Sequence, residues 1–406
     1  MVAKTQGTSH RWEFKPRFRR RSFGWRSQPA VLRVRQAVAE IRKEARRHPE
    51  VGAEGAVTLL ELLSPALEQV DSSSGAIGAA VNHAIAELVP IIGGAPATTA
   101  LREAWLERLW TACEADRIPY IESLGDRWGE LCSSREVASS WADRLIGITR
   151  MALGPDPSLR GHFPGSSACL SSLYHAARYQ EILDIVRPEG LWAHQRWAVR
   201  ALAALGRGSE AIRYAEGCRG PWTPAADVDR VCEEILLSAG LAAEAYSLYG
   251  LRANRGPTYL STFRQVARRY PERSPQEVLA DLVRSTPGEE GKWFAAARQV
   301  VTPEEALALA RRSPCDPRTL TRAARDWADE HPNAAVEAGL LALGSLVGGY
   351  GRDMTGADVW AAYSTAMTAA QRTGGAEKVR ERVRELLAEE GSGGWLEAVL
   401  GRELEL

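Results

Sequence analysis

The segment ALGRGSEAIRYAE (204–216) decides how this chain is read. Small and apolar residues run up to Leu205, Gly206 interrupts them, and apolar positions resume at helical spacing with Ala211, Ile212 and Ala215. A glycine between two periodic stretches marks a helix end, a short turn and a second helix, because glycine alone enters the left-handed region without cost. Related segments are AARYQEILDIV (176–186), SAGLAAEAYSLYG (238–250) and VVTPEEALALARR (300–312). Glu181, Glu210, Glu244 and Glu305 mark a common frame, spaced by 29, 34 and 61 residues, the last a double step.

That period resembles the helix–turn–helix unit of tetratricopeptide repeat proteins, and LGRGSEAIRYAE is similar to the turn and second helix of one unit. The likeness covers about residues 165–312 and implies an all-α, right-handed α-solenoid of helical hairpins. It also implies a groove that holds a protein or peptide.

Outside the repeats the pattern is also helical. Val31, Val34, Val38, Ile41 and Ala45 form a stripe, with Ser27 placed to cap and Pro29 in the first turn. In LREAWLERLWTAC (101–113), Leu101, Trp105, Leu109 and Ala112 share a face, with Leu106, Trp110 and Cys113 beside it and the charges elsewhere. Proline or glycine recurs at regular intervals, and no run of alternating β-branched residues predicts a strand. Pro/Gly-rich joints at 154–167 and 348–356 predict four parts. These are an arm (1–27), an N-terminal helical block (28–160), the repeats (161–350) and C-terminal capping helices (351–406). A length of 406 residues is compatible with a stack, which grows by adding units rather than by enlarging one core.

Charge is unevenly placed. The chain has no formal net charge, yet residues 1–35 hold ten Lys or Arg against one acid. The densest part is HRWEFKPRFRRRSFGWR (10–26), with seven cations and five large aromatic rings. Disordered tails are poor in such rings, so the rings are expected to pin the arm to the body. Its cations then either neutralise the acidic body or meet an anionic partner. Guanidinium forks pair with phosphate oxygens and rings stack on bases. The candidate nucleic-acid or anion contacts are therefore Trp12, Phe14, Arg17, Phe18, Arg19, Arg20, Arg21 and Trp25. They continue along helix 29–47 with Arg42, Lys43, Arg46 and Arg47.

FGWRSQP, followed by a basic helix, together with GKWFAAARQ and SPCDPRTLTRAARDWA, resembles the accessory regions of bacterial SWIM zinc-finger proteins. Those proteins are associated with nucleic acid. Their zinc motif requires a CxC pair and a later Cys-x-His, both absent here, so no zinc role is carried over.

Catalytic signals are weak. Glu122, Asp126 and Glu130 are spaced for one helix face, and His162, Cys169 and His175 lie near one another in sequence, with nothing to orient them. DSSSGAIG (71–78) reads as a capping cluster. GEEGKW (288–293) lacks the residues of a phosphate loop. Six scattered cysteines without CxxC fit reduced thiols, and no apolar leader opens the chain. AGLLALGSLVGGY (338–350) is too short to span a bilayer. The expectation is a cytoplasmic protein without a cofactor or membrane span. Its leading function is a non-catalytic scaffold with a protein or peptide in the helical-repeat groove. Nucleic-acid binding through the arm is the alternative, and a helical-repeat enzyme acting on nucleic acid comes third.

Overall fold

The computed structural model describes residues 10–154, 156, 161, 163–186, 190–351, 353–390 and 395–404, which are all-helical with no strand. The chain divides into two compact units, Met1–Ile235 and Leu236–Leu406. The division falls within a helix (Ala225–Ser238), and the sequence boundaries near 160 and 350 each lie inside one unit.

In the first unit, α1 (Ser27–Ala45), α2 (Pro49–Leu67) and α3 (Ala76–Gly94) pack against one another. Next come α4 (Thr99–Glu114), α5 (Trp128–Cys132), α6 (Arg135–Ala152), α7 (Gly165–His175), α8 (Tyr179–Ile185), α9 (Trp192–Ala204), α10 (Gly208–Gly217) and α11 (Ala225–Ser238). Contacts run mainly to the next helix and the one after it: α2 with α4, α5 with α6 and α7, α7 with α8 and α9. The apolar stripe of α1 is buried as expected, from Ala30 to Ile41, while Ala45 at its end is half-buried. Ser27 is the first helical residue rather than its cap.

The second unit holds α12 (Ala242–Ala245), a π-helical turn (Tyr246–Gly250), α13 (Leu251–Ala253), α14 (Tyr259–Arg269), α15 (Pro275–Arg284) and α16 (Phe294–Ala297). It continues through α17 (Pro303–Arg312), α18 (Pro317–Trp327), α19 (Pro332–Val347), α20 (Gly356–Thr373), α21 (Ala376–Glu390) and α22 (Trp395–Leu400). Several starts are written in the sequence. Ser274, Thr302 and Thr355 each accept from the backbone N–H three residues on, and Glu277, Glu305 and Asp358 bond back to the cap.

The repeat frame has a physical basis at three of its four positions. Gly206 is left-handed (φ 76°), its N–H donates to Ala203 O at 3.0 Å, and Arg207 N–H donates to Leu202 O at 2.9 Å. The same pair of bonds closes the turns at Gly240 (φ 76°) and Ala177 (φ 59°). This double closure satisfies carbonyls that a helix end leaves open. After two of these turns an arginine forks onto the frame glutamate: Arg207 onto Glu210 at 2.8 and 2.6 Å, Arg178 onto Glu181 at 2.6 and 2.9 Å. The fourth position differs, because Glu305 closes the capping box of Thr302. Ala177 takes the conformation the other two turns give to glycine. Ala177→Gly is expected to stabilise the protein by about 1 kcal/mol, read as a higher urea midpoint with unchanged slope.

The described helix long and apolar enough to cross a membrane is α3, with hydropathy 1.5. Its Ile77, Val81, Ile85, Leu88 and Ile92 are buried in the first unit, and Asn82 and His83 face outward.

Candidate nucleic-acid interface

The arm docks on α1 and α2 through its rings. Trp12, Phe14, Phe18 and Phe23 are buried, and successive centroids lie 5.4, 6.1 and 5.3 Å apart. Burying a large ring contributes roughly 1.5–3 kcal/mol, and these four offset part of the entropy of ordering the arm, with the backbone and ion-pair contacts described next adding to them. Gly55 on α2 makes the slot for Trp12: a Cβ there would lie 2.6 Å from indole Cε2. Glu40 on α1 accepts from the backbone N–H groups of Glu13 (2.7 Å) and Phe14 (3.2 Å). At the far end, Arg21 N–H donates to Pro65 O at 2.9 Å, which occupies a carbonyl in the last turn of α2.

Arg21 has a positive φ of 56°, and this reversal is held by Glu68. Arg20 reaches Glu68 at 3.1 Å and Arg21 at 2.8 Å, and these two guanidiniums hold the Glu68 carboxyl below the usual glutamate range. Both cations also sit just past the C-terminal end of α2, the negative end of its dipole.

The other cations of this face are left outward. Residues 10–47 contain thirteen Lys or Arg and three acids. Among the described residues only Arg20, Arg21 and Arg42 of these thirteen form ion pairs, Arg42 with Glu87 at 3.0 Å. Two of the three local acids are otherwise engaged: Glu40 holds the arm backbone, and Glu44 lies 3.8 Å from His10 and 3.9 Å from His48. Arg17 and Arg19 on the arm, Lys43 on α1, and Arg46 and Arg47 in the turn that follows it are exposed. Many arginines of the body are paired, for example Arg108 with Glu54 and Glu61, both at 2.7 Å.

This arrangement corrects part of the sequence reading. Trp12, Phe14 and Phe18 are core residues with no face open for a base. Trp25 alone of the five rings is exposed, at 72%. This face presents exposed cations and one exposed ring.

Among the described residues, the remaining sequence candidates are not brought together at one point. Glu122 and Asp126 lie in a 3-10 turn (Glu122–Arg127) and Glu130 in α5, so the three do not share one α-helical face. Asp126 pairs with Arg196, and Glu130 with Arg127 at 2.6 Å. His162 lies outside the described residues. Cys169 is fully buried and its thiol is pushed up to about 11 by that burial; Cys113, Cys132 and Cys315 are pushed up to about 12. Such thiols are poor nucleophiles near neutrality. In DSSSGAIG, Asp71 accepts from Ser73 N–H at 2.9 Å and Gly75 caps α3. Among the described residues no three of His, Cys, Asp and Glu are grouped to hold a metal.

Two features escaped the sequence. Arg102 reads as a surface charge of α4 but is 4% exposed. Its guanidinium donates to Ile92 O, to Ala95 O at 2.7 Å and to Leu131 O at 3.4 Å, the carbonyls at the ends of α3 and α5. Burial lowers its pKa, and the two helix dipoles supply the negative field in place of a carboxylate. The second is a groove of about 670 Å³ between α1 and α3, with Val31, Val34 and Ala84 on its floor and Arg35 and His83 at its edge.

No protein-family model matches the chain, and no curated protein matches it in sequence.

Proposed function

We propose that the protein binds nucleic acid, through the phosphate backbone, on the face formed by the docked arm and α1. One observation carries this reading: ten of the thirteen cations in residues 10–47 have no acidic partner among the described residues, while the rings beneath them hold the arm in place. A pinned, pre-ordered set of guanidiniums loses little entropy when it meets a phosphate array, and its binding free energy comes largely from counterion release. With most rings buried, contact is with the backbone rather than by stacking, which favours duplex over single strand.

The body behind this face we read as tetratricopeptide-like, with right-handed stacking of helical hairpins. The support is the recurring turn at Ala177, Gly206 and Gly240 and the packing of helices on near neighbours within each unit. A second reading, a scaffold that seats a peptide, is favoured by the α1–α3 groove, whose lining is largely apolar and whose charged groups are Arg35 and the Arg42–Glu87 pair.

The test is fluorescence anisotropy with labelled duplex and single-stranded oligonucleotides. Deleting residues 1–27 would strip four rings from the core, so charge reversal is the better variant. Arg17→Glu, Arg19→Glu, Arg46→Glu and Arg47→Glu combined are expected to weaken duplex binding by at least about a hundredfold at low salt, with unchanged helix content. Equal affinity of wild type and variant would reject the reading in favour of the groove.

A further inference from the structure

The second unit contains a cavity of about 460 Å³ in which Tyr259 is the half-buried ring, Tyr249 and Trp293 lie buried behind the wall, and the lining charges are of one sign. Tyr249, Tyr259 and Trp293 supply the rings, and Arg252 and Arg255 the charges; among the described lining residues there is no Asp or Glu. Its position follows from the backbone. The π-helical turn Tyr246–Gly250 places one more residue per turn than an α-helix, and such turns frequently occur where a helix meets a ligand. Gly250 packs 3.0 Å from the Tyr270 ring by its virtual Cβ, so the turn sits tight on α14.

The walls are fixed before any ligand arrives. Tyr259 Oη donates to Glu289 at 2.6 Å, Trp293 Nε1 donates to Thr286 Oγ1 at 2.7 Å, and the two rings meet edge to face with centroids 4.7 Å apart. Glu289 pairs with Lys292 at 2.6 Å and also feels the charge of Arg255, whose guanidinium is exposed at the rim. Rings that are already hydrogen-bonded and an arginine at the mouth make a site that selects shape and negative charge together.

We propose that this cavity binds a small aromatic anion, a planar ring carrying a carboxylate or a phosphate. The ring packs against Tyr259 and Leu248, and the anionic group meets Arg255. This goes beyond the nucleic-acid reading and uses none of its residues.

The test is isothermal titration calorimetry of the full chain with four probes: phenyl phosphate, benzoate, benzyl alcohol and benzylamine. Phenyl phosphate or benzoate is expected to bind, with Kd at or below about 1 mM, and the neutral and cationic probes at least tenfold more weakly. A preference for phenyl phosphate identifies a phosphate monoester, and a preference for benzoate a carboxylate. Arg255→Gln, at an exposed position, is expected to weaken the anions at least fivefold and leave benzyl alcohol unchanged. Ser247→Phe, also exposed and lining the cavity, is expected to weaken every probe that binds. Absence of binding by both anions, benzylamine binding as tightly as they do, or an unchanged affinity in Arg255→Gln would each overturn the proposal.

Discussion

Arg102→Met is expected to destabilise the protein by about 3 kcal/mol or more. The guanidinium is the shared partner of Ile92 O, Ala95 O and Leu131 O, in a place closed to water. Methionine fills much of the volume and donates nothing, so Ala95 O and Leu131 O lose the guanidinium, each at roughly 1–3 kcal/mol, while Ile92 O keeps the N–H of Ala95. Removing a buried charge returns part of that, because Arg102 has no carboxylate partner. Arg102→Lys is expected to recover only a fraction, since an ammonium cannot present a planar fork to carbonyls from two helices. Urea denaturation followed by tryptophan fluorescence gives the result as a lower midpoint. A loss below about 1 kcal/mol for Arg102→Met would mean that these helix ends find water instead.

Trp12→Ala is expected to cost about 3 kcal/mol and to free the arm. The indole lies against Gly55 and begins the chain of rings that runs through Phe14 and Phe18 to Phe23. Gly55→Leu approaches the same slot from the other side, expelling the indole while leaving the arm sequence intact. Limited trypsin digestion separates release of the arm from general unfolding. In the wild type Arg17, Arg19, Arg20 and Arg21 are exposed side chains on a docked backbone and should be cut slowly. In either variant the cleavage at these sites should be fast while the helical circular dichroism is kept. Slow cleavage in both would show that Glu40 and Glu68 hold the arm without its rings.

Much of the local structure is legible in the sequence because it rests on near neighbours. Glycine at 206 and 240 fits a left-handed helix end, and Thr302-Pro303 with Glu305 fits a helix start. That four rings of the arm are buried follows from the cost of exposing them. What the sequence hides depends on residues far apart in the chain. Ala177 takes a glycine conformation because the turn around it is over-determined. Arg102 is charged, and only the convergence of two helix ends makes a buried site for it. Glu122, Asp126 and Glu130 share an α-helical spacing that a 3-10 turn removes. The cavity of the second unit joins residues 246–262 to 282–293, with no local motif in either. On the arm, charge density marked the segment whose cations are exposed. Which rings are buried and which cations are paired required Gly55, Glu40 and Glu68 in place.

The docked arm and α1 are proposed to form one phosphate-binding face. The most direct test is the dependence of duplex affinity on salt, as the slope of log K against log salt, for wild type and for Arg17→Glu/Arg19→Glu. A face of this kind predicts a steep negative slope for the wild type. Each phosphate contact removed flattens it by about 0.9, so the double variant should be shallower by nearly two. A wild-type slope near zero, or the same slope in both proteins, would contradict the account and assign these cations to solvent.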